Sequence, residues 1–318
     1  MKIVDTTNET SGAPVSRPTE SVRSLHGVLA VIPTLSAARL PNVRSLILAL
    51  RMKGAEVLVV ANGLSVYNQL CADGLPVITE GSNLGFGAAV NLAAATSGGH
   101  KWLLLVNDDI ELSDLSIFDG LEAISTAGEN SLVTFGDEPA LTVPAAWDVY
   151  SSLSLFAGFH RGASSQRKAT ALPSGGRTRY FPFSLVAISW PLWKKLGGLD
   201  ERFPFTYEDA DFTRRAIAAG AAQIQLTGVG VRHGRSLTGR AQVGQVLPVG
   251  AWGAYQYLQK WTFGKRRAAA VCIVALLSRV LLLPASRARL SDHFRGTMNA
   301  INAIARNEAP KLPEYSDF

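Results

Sequence analysis

The chain is poor in cysteine, in leader-type apolar sequence and, over one long stretch, in acid. Only two cysteines occur in 318 residues, Cys71 and Cys272, too far apart to form a metal-ligand spacing. A local cysteine metal-binding motif is thereby excluded, and a reducing compartment or indifference to redox fits. Residues 1–24 are polar, with Thr, Ser, Asn, Glu and two prolines. They lack the apolar centre of a signal peptide and read as a disordered tail on a cytoplasmic protein. Between Asp211 and Asp292 there is no acid, whereas Arg and Lys occur twelve times. The formal net charge is +6, so the rest of the chain is acidic on balance. A basic segment of this length points to an anionic partner, such as phosphates or an anionic membrane surface, or else to a solvated basic face. Nucleic acid would match the charge, but no recognition module accompanies it, and no nucleic-acid partner is expected. No internal repeat is present.

The 47% hydrophobic content is ample for a core, and the length suits one large α/β domain with an appendage, or two small domains. Gly27–Ile32 is a short apolar run stopped by Pro33, a first strand. Val43–Lys53 has helical spacing of its apolar residues and Gly54 closes it. Ala55–Ala61 is a second strand ending in an Asn62-Gly63 turn. Leu75–Thr79 reads as a third strand, Gly85–Ser97 as a small-residue helix and Trp102–Val106 as a fourth strand. Strands alternating with helices over residues 25–125 predict a doubly wound α/β fold with a mostly parallel sheet. The stretch 126–180 is less legible. Within it, Gly162–Arg179 is rich in Ser, Gly, Lys and Arg and reads as a surface loop, one that closes over substrate or is plainly disordered. Tyr180–Trp190 reads as a buried strand.

Toward the C-terminus, Ala268–Leu283 is almost wholly apolar, interrupted by Ser278 and Arg279. As a helix it would span roughly 24 Å at about 1.5 Å per residue, short of the ~30 Å hydrocarbon core. Lys265, Arg266 and Arg267 precede it, and Arg287 and Arg289 follow. That is the pattern of a helix lying in a membrane interface over anionic headgroups. The alternative is a packing helix on the preceding domain. The expected organisation is a tail over 1–24, a catalytic domain over 25–245 and a basic helical extension over 246–318.

Four segments carry candidate chemistry. Asn107-Asp108-Asp109 directly follows the Trp102–Val106 strand, which puts two carboxylates at the C-terminal edge of the sheet, where open α/β sheets bind ligands. Adjacent acids there suit a hard divalent cation carrying phosphate oxygens. Asn83–Asn91 combines glycines with a helix start, which suits close backbone approach to an anion. Gly197–Phe203 and Tyr207–Asp211 hold five acids around a turn and a helix start. Asp209 and Asp211 cannot share a helix face, so one can face a pocket while the other caps or pairs with Arg214 or Arg215. His233 follows an expected strand over Gly228–Arg232, with Arg235 two residues on.

In order and approximate spacing these segments resemble glycosyltransferase family 2, most closely its rhamnosyltransferase-like members. The resemblance covers about residues 27–240 and is strongest in GGLDERFPFTYEDADFTRRAIAAG with His233 behind it. It implies a GT-A fold and inverting transfer of a sugar from a nucleotide diphosphate donor, dTDP-rhamnose foremost, to a lipid-linked (polyprenyl-diphosphate) or glycan acceptor. The expected cofactor is Mg²⁺ or Mn²⁺. Asp109 takes the metal-binding position of the DXD-like motif, with Asn107 and Asp108 in its other positions. His233 matches a residue that contacts the metal or diphosphate, and Arg235 lies within reach of the same phosphates. Asp209 matches the catalytic base. Asn62 follows the strand that leads to the nucleotide, and Asn83, Gly85 and Asn91 match the loop lining the donor site. Relatives commonly carry an acid before Asn-Gly, where Ala61 stands here, which leaves the nucleotide open. The implied place of work is the cytoplasmic membrane face. Nucleotidyl transfer gives no role to the Glu208-Asp209 cluster. The remaining alternative is a catalytically silent sugar-nucleotide binder or assembly subunit.

Overall fold

The structure, a computed structural model, describes residues 25–125, 130–157, 178–228, 230–234, 243–281 and 290–314. The expected tail over 1–24, most of the 162–179 loop, and Arg235, Arg287 and Arg289 lie outside them.

The first half alternates strands and helices: β1 (Val28–Thr34), α1 (Leu40–Met52), β2 (Glu56–Ala61), α2 (Leu64–Ala72), β3 (Val77–Ile78), α3 (Phe86–Thr96) and β4 (Trp102–Val106). Pro41 stands in the first turn of α1, where no backbone donor is needed. Beyond it come β5 (Ile110–Leu112), α4 (Gly120–Ser125), β6 (Ser131–Phe135), β7 (Leu141–Thr142) and α5 (Ala146–Leu153). Next are β8 (Arg179–Tyr180), β9 (Leu185–Ser189), α6 (Trp190–Leu196), α7 (Glu208–Ala218), β10 (Ala222–Leu226) and β11 (Val231–His233). Among the described residues, α8 (Val243–Trp261), α9 (Lys265–Val280) and α10 (Leu290–Arg306) follow.

Seven strands form one sheet in the order β10-β6-β9-β4-β1-β2-β3. All neighbours are parallel except β9, which runs antiparallel between β4 and β6. The single Tyr180–Trp190 strand expected from sequence is therefore two short ones. β8 pairs with β7 instead of joining the main sheet, and Trp190 opens α6. Arg179, expected in a loop, belongs to β8. The third strand is only two residues long.

β1 and β4 are buried along their whole length because both sheet faces are covered, which is why they read as continuous apolar runs. One face packs Val28, Ala30, Ile32 and Leu104 against α1 and α2. The other packs Leu29, Val31, Leu103 and Leu105 against α3, α6 and α7. A third apolar cluster joins α8, α9 and α10 to α5, Tyr180, Phe203 and Ala210. The C-terminal helices thus share a core with the segment that carries Asp209.

α9 buries Ala268, Cys272, Ala275 and Leu276 within that cluster, and Leu155 N–H donates to its Ser278 hydroxyl. One face is therefore a packing face. On the opposite side Ala270, Val274, Leu277 and Leu281 are exposed at three- and four-residue spacing, Leu281 at 76%. Among the described residues no helix is long and apolar enough to cross a membrane. The basic segment is also partly spent inside the protein. Arg214 stacks on Trp261 at 4.1 Å, and Arg215 and Lys260 pair with Asp211. Arg232 pairs with Glu111 at the surface. The run Lys265, Arg266 and Arg267 stays exposed.

Candidate active site

β4 ends at Val106, and the chain turns at once, with Ile110 N–H donating to the Asn107 carbonyl at 3.2 Å. Asn42 holds this turn from α1, its amide donating to the carbonyls of Asp108 and Ile110, each at 2.8 Å. β5 then pairs antiparallel with β11, placing His233 opposite Ile110. Gly234 N–H donates to the Asp109 carbonyl at 2.9 Å. A Cβ on Gly234 would sit 3.1 Å from that oxygen, so glycine permits the approach.

This pairing brings His233 Nε2 within 3.1 Å of Asp109 Oδ1, with Asp109 buried. On the ring's other side, Nδ1 lies 2.8 Å from Glu138 Oε1. Glu138 is itself fixed, accepting from the Ser184 hydroxyl. The hydrogen bonds to Asp109 and then to Glu138 push the His233 pKa up to about 9, so the metal-free ring is an imidazolium at neutral pH. Asp108 turns toward β1, accepting from the Thr34 hydroxyl at 2.9 Å. Burial pushes its carboxyl up to about 6; the Thr34 hydrogen bond opposes the shift and the Asp109 charge adds to it.

The donor set suits an open cation site. Asp109 and His233 offer a carboxylate and an imidazole, and among the described residues no group of three or more His, Cys, Asp or Glu side chains is placed to hold a metal ion by itself. Hard divalent ions such as Mg²⁺ take one or two protein carboxylates and leave positions for water and phosphate. Glu138 on Nδ1 stands where an outer carboxylate would orient the imidazole of a metal ligand. Sequence reasoning missed Glu138. Its signal was present: the apolar Ser131–Phe135 run ends in Gly136-Asp137-Glu138, the same strand-end acids as at Asp108-Asp109.

Asn62, Asn83, Gly85, Asp108, Asp109 and His233 line one cavity of ≈ 380 Å³. Asn62 and Asn83 shape its wall: Asn62 Oδ1 accepts from Leu84 N–H at 3.1 Å, and Asn83 Oδ1 from Gly85 N–H at 2.8 Å. Asn91 does not belong there. It donates to the Leu199 carbonyl and Glu201 and accepts from Leu199 N–H, pinning the Gly198–Glu201 turn onto α3. The correction follows from helix geometry, since Asn91 lies inside α3 while the cavity meets only its start. Gly85, at φ 80 and ψ 177, occupies a region open essentially to glycine alone. A Cβ there would lie 2.2 Å from the Pro204 carbonyl oxygen. Gly85→Ala is expected to cost at least about 1–3 kcal/mol from backbone strain, lowering the urea midpoint and separating the 83–86 loop from the 204–207 turn.

That turn delivers the second acid cluster. Tyr207 adopts φ 75 at the start of α7, an uncommon conformation for a non-glycine residue. α8 presses against it, where a Cβ on Gly253 would come 2.8 Å from the Thr206 carbonyl. Glu208 and Asp209 then face a second cavity, ≈ 560 Å³, with Asp148, Tyr180 and Arg279 in its wall. The two cavities share Phe205 and Val246. Burial raises both carboxyls, and the Asp209 charge raises Glu208 further. Glu208 Oε2 is buried with no hydrogen-bond partner among the described residues, which favours the protonated form. Asp209 accepts from the Ala210 N–H at 2.7 Å, so it holds the charge of the pair. Asp211 points the other way, fully buried, against Arg215, Lys260 and Trp261.

No protein-family model matches the chain, and no curated protein matches it. Among solved structures it is similar to the mannosyltransferase PcManGT from Pyrobaculum calidifontis in complex with GDP-Man and Mn²⁺, at 16% identity over 90% of this chain and 83% of that one, TM-score 0.47. It is similar to glucosyl-3-phosphoglycerate synthase from Mycobacterium tuberculosis in complex with Mn²⁺, UDP-glucose and glycerol 3-phosphate, at 13% identity over 79% of this chain and 86% of that one, TM-score 0.47. The S. aureus TarS 1–349 structure shares 13% identity over 88% of this chain and 92% of that one, TM-score 0.42.

Proposed function

We propose that the chain is a metal-dependent, inverting glycosyltransferase of GT-A fold, moving a sugar from a nucleotide diphosphate donor to an acceptor hydroxyl. The observation that carries this reading is the pair of adjoining cavities, one holding Asp108, Asp109 and His233 and the other Glu208 and Asp209. One offers a cation and phosphate site, the other a base, and the shared wall is where the reacting atoms would meet.

Asp109 and His233 would hold Mg²⁺ or Mn²⁺, which when bound supplies charge stabilisation to the departing diphosphate. The chain's own residues do the rest. Asp209 accepts the proton of the acceptor hydroxyl as its oxygen bonds to the anomeric carbon. The carbon–oxygen bond to the diphosphate breaks, and its electron pair leaves with the nucleoside diphosphate. Attack from the face opposite the leaving group inverts the anomeric centre with no covalent intermediate. Glu208, protonated, keeps a second negative charge out of the cavity.

For the donor sugar, the resemblance of the Gly197–Gly220 segment to rhamnosyltransferase-like proteins favours rhamnose from dTDP-rhamnose. A lipid-linked or cell-surface glycan acceptor at the cytoplasmic membrane face is supported by the exposed Val274, Leu277 and Leu281 stripe on α9 and the exposed cations at its start. This is the arrangement of an interfacial helix face.

The test is release of nucleoside diphosphate from a panel of nucleotide sugars, dTDP-rhamnose included, with Mn²⁺ or Mg²⁺ and then with EDTA. Turnover of one donor is expected, abolished by chelation and by Asp109→Ala. If donors bind but none turns over, with lipid-linked acceptors supplied, the protein is instead a silent sugar-nucleotide binder.

A further inference from the structure

The chain does not end at α10. Asn307 adopts φ 56, a left-handed helix stop, and its side chain accepts from the Tyr255 hydroxyl at 2.8 Å. Glu308 N–H donates back to the Ala303 carbonyl at 3.0 Å. This anchored turn throws residues 308–314 off the helix end as a segment without regular structure, stiffened by Pro310 and Pro313. The segment runs to the nucleotide cavity. Leu312 and Pro313 form part of its wall, and the Pro313 carbonyl accepts from Asn83 Nδ2 at 2.8 Å, across 230 residues of sequence.

Three observations describe what this segment does there. First, Asn83 is engaged at both ends while the contact stands, its oxygen accepting from Gly85 N–H and one of its amide N–H groups donating to the Pro313 carbonyl. A cavity residue expected to meet the donor is thus partly occupied by the chain itself. Second, the cavity left beneath the segment is ≈ 380 Å³, near the lower end of the ~300–1,000 Å³ range of ligand sites, whereas a nucleotide diphosphate sugar is a large ligand. Third, the segment is weakly held. None of residues 307–314 is buried, and behind it lies a further cavity of ≈ 550 Å³, which Leu312 and Pro313 also line together with α8 and α10 residues. A segment with open space on both sides and few buried contacts opens at low free-energy cost.

We propose that residues 308–314 are a hinged strap that gates the nucleotide cavity: it closes by latching the Pro313 carbonyl to the Asn83 amide, and it swings off its Asn307 anchor to admit a nucleoside diphosphate. The proposal rests on the transferase reading for the identity of the ligand. Opening returns the Asn83 amide and the space under Leu312 to the ligand. The rear cavity gives the strap somewhere to go. Lids of this kind commonly set the rates of substrate binding and product release.

The test uses the full chain and two readouts. Tryptic cleavage after Lys311, within the strap, is followed with and without saturating nucleoside diphosphate and Mn²⁺, over UDP, GDP and dTDP. Cleavage there is expected to quicken on binding. Affinity is then compared by calorimetry between the unaltered chain and a variant carrying Leu312→Gly and Pro313→Gly, which makes the closed strap costlier to order. The variant is expected to bind roughly 2- to 10-fold more tightly, the scale of one neutral hydrogen bond or a glycine replacement. Slower or unchanged cleavage, or equal or weaker binding by the variant, overturns the gate and leaves the transferase reading standing. Failure of every nucleotide to bind either chain removes both. If the variant does not fold, the cleavage measurement on the unaltered chain decides alone.

Discussion

Asp209→Asn is expected to lower turnover about 10²–10⁴-fold, the usual range for a positioned general base, with nucleotide affinity and the unfolding midpoint unchanged. The amide has the same shape, and its oxygen can keep the Ala210 N–H contact of 2.7 Å, but it has no basic lone pair for the acceptor proton. Because burial raises the Asp209 carboxyl, activity should fall with decreasing pH at a value above the ordinary carboxylate range, as the base becomes protonated. Glu208→Gln separates the two acids. It fixes residue 208 in the neutral form already favoured at pH 7, so turnover there should stay within a few-fold of the unaltered chain. Equal losses in both variants, measured as kcat with saturating donor, would refute the assignment of the base to Asp209 alone.

Asp211→Ala should be the most destabilising single change at the site, by about 3–5 kcal/mol, because removing one member of a buried ion pair strands the others. Arg215 Nε lies 2.8 Å from Asp211 and Lys260 Nζ 2.5 Å, while Lys260 also reaches Asp200 at 2.7 Å. One carboxylate therefore ties α7, the end of α8 and the Gly198–Glu201 turn together. The exposed Arg44–Asp73 pair makes the contrast. It has similar geometry at 2.5 Å, yet Asp73→Ala should cost under about 1 kcal/mol because water screens it. Urea midpoints of the two variants, side by side, test the ranking. Since α7 begins with Glu208 and Asp209, Asp211→Ala should also lower activity, but together with stability, unlike Asp209→Asn.

Much of the first half was readable because burial on both sheet faces leaves an unbroken signature. β1, β2 and β4 appear as apolar runs, and Asn107-Asp108-Asp109 stands out because charge follows such a run directly. The helix-face argument at Asp209 and Asp211 was equally local: a two-residue step turns a helix about 200°, and the two side chains do diverge, one to the cavity and one to Arg215. The antiparallel course of β9 was not readable, since an apolar pentapeptide looks the same in either direction. Nor was the role of Asn91, whose partners Leu199 and Glu201 lie more than a hundred residues away.

By itself, then, the sequence determined what depends on neighbours along the chain: which segments are buried strands, and which carboxylates end a strand or begin a helix. Only the tertiary structure decided what depends on pairing across it. Glu138, His233 and Asp109 meet because β11 pairs with β5 while β6 ends nearby, and α9 packs one face inward while leaving an apolar stripe outside. The C-terminal segment reaches Asn83 because the Asn307 turn aims it there. The physical reason is that backbone propensity and hydrophobic period are encoded within a few residues, whereas a site is assembled by contacts whose partners lie tens to hundreds of residues apart.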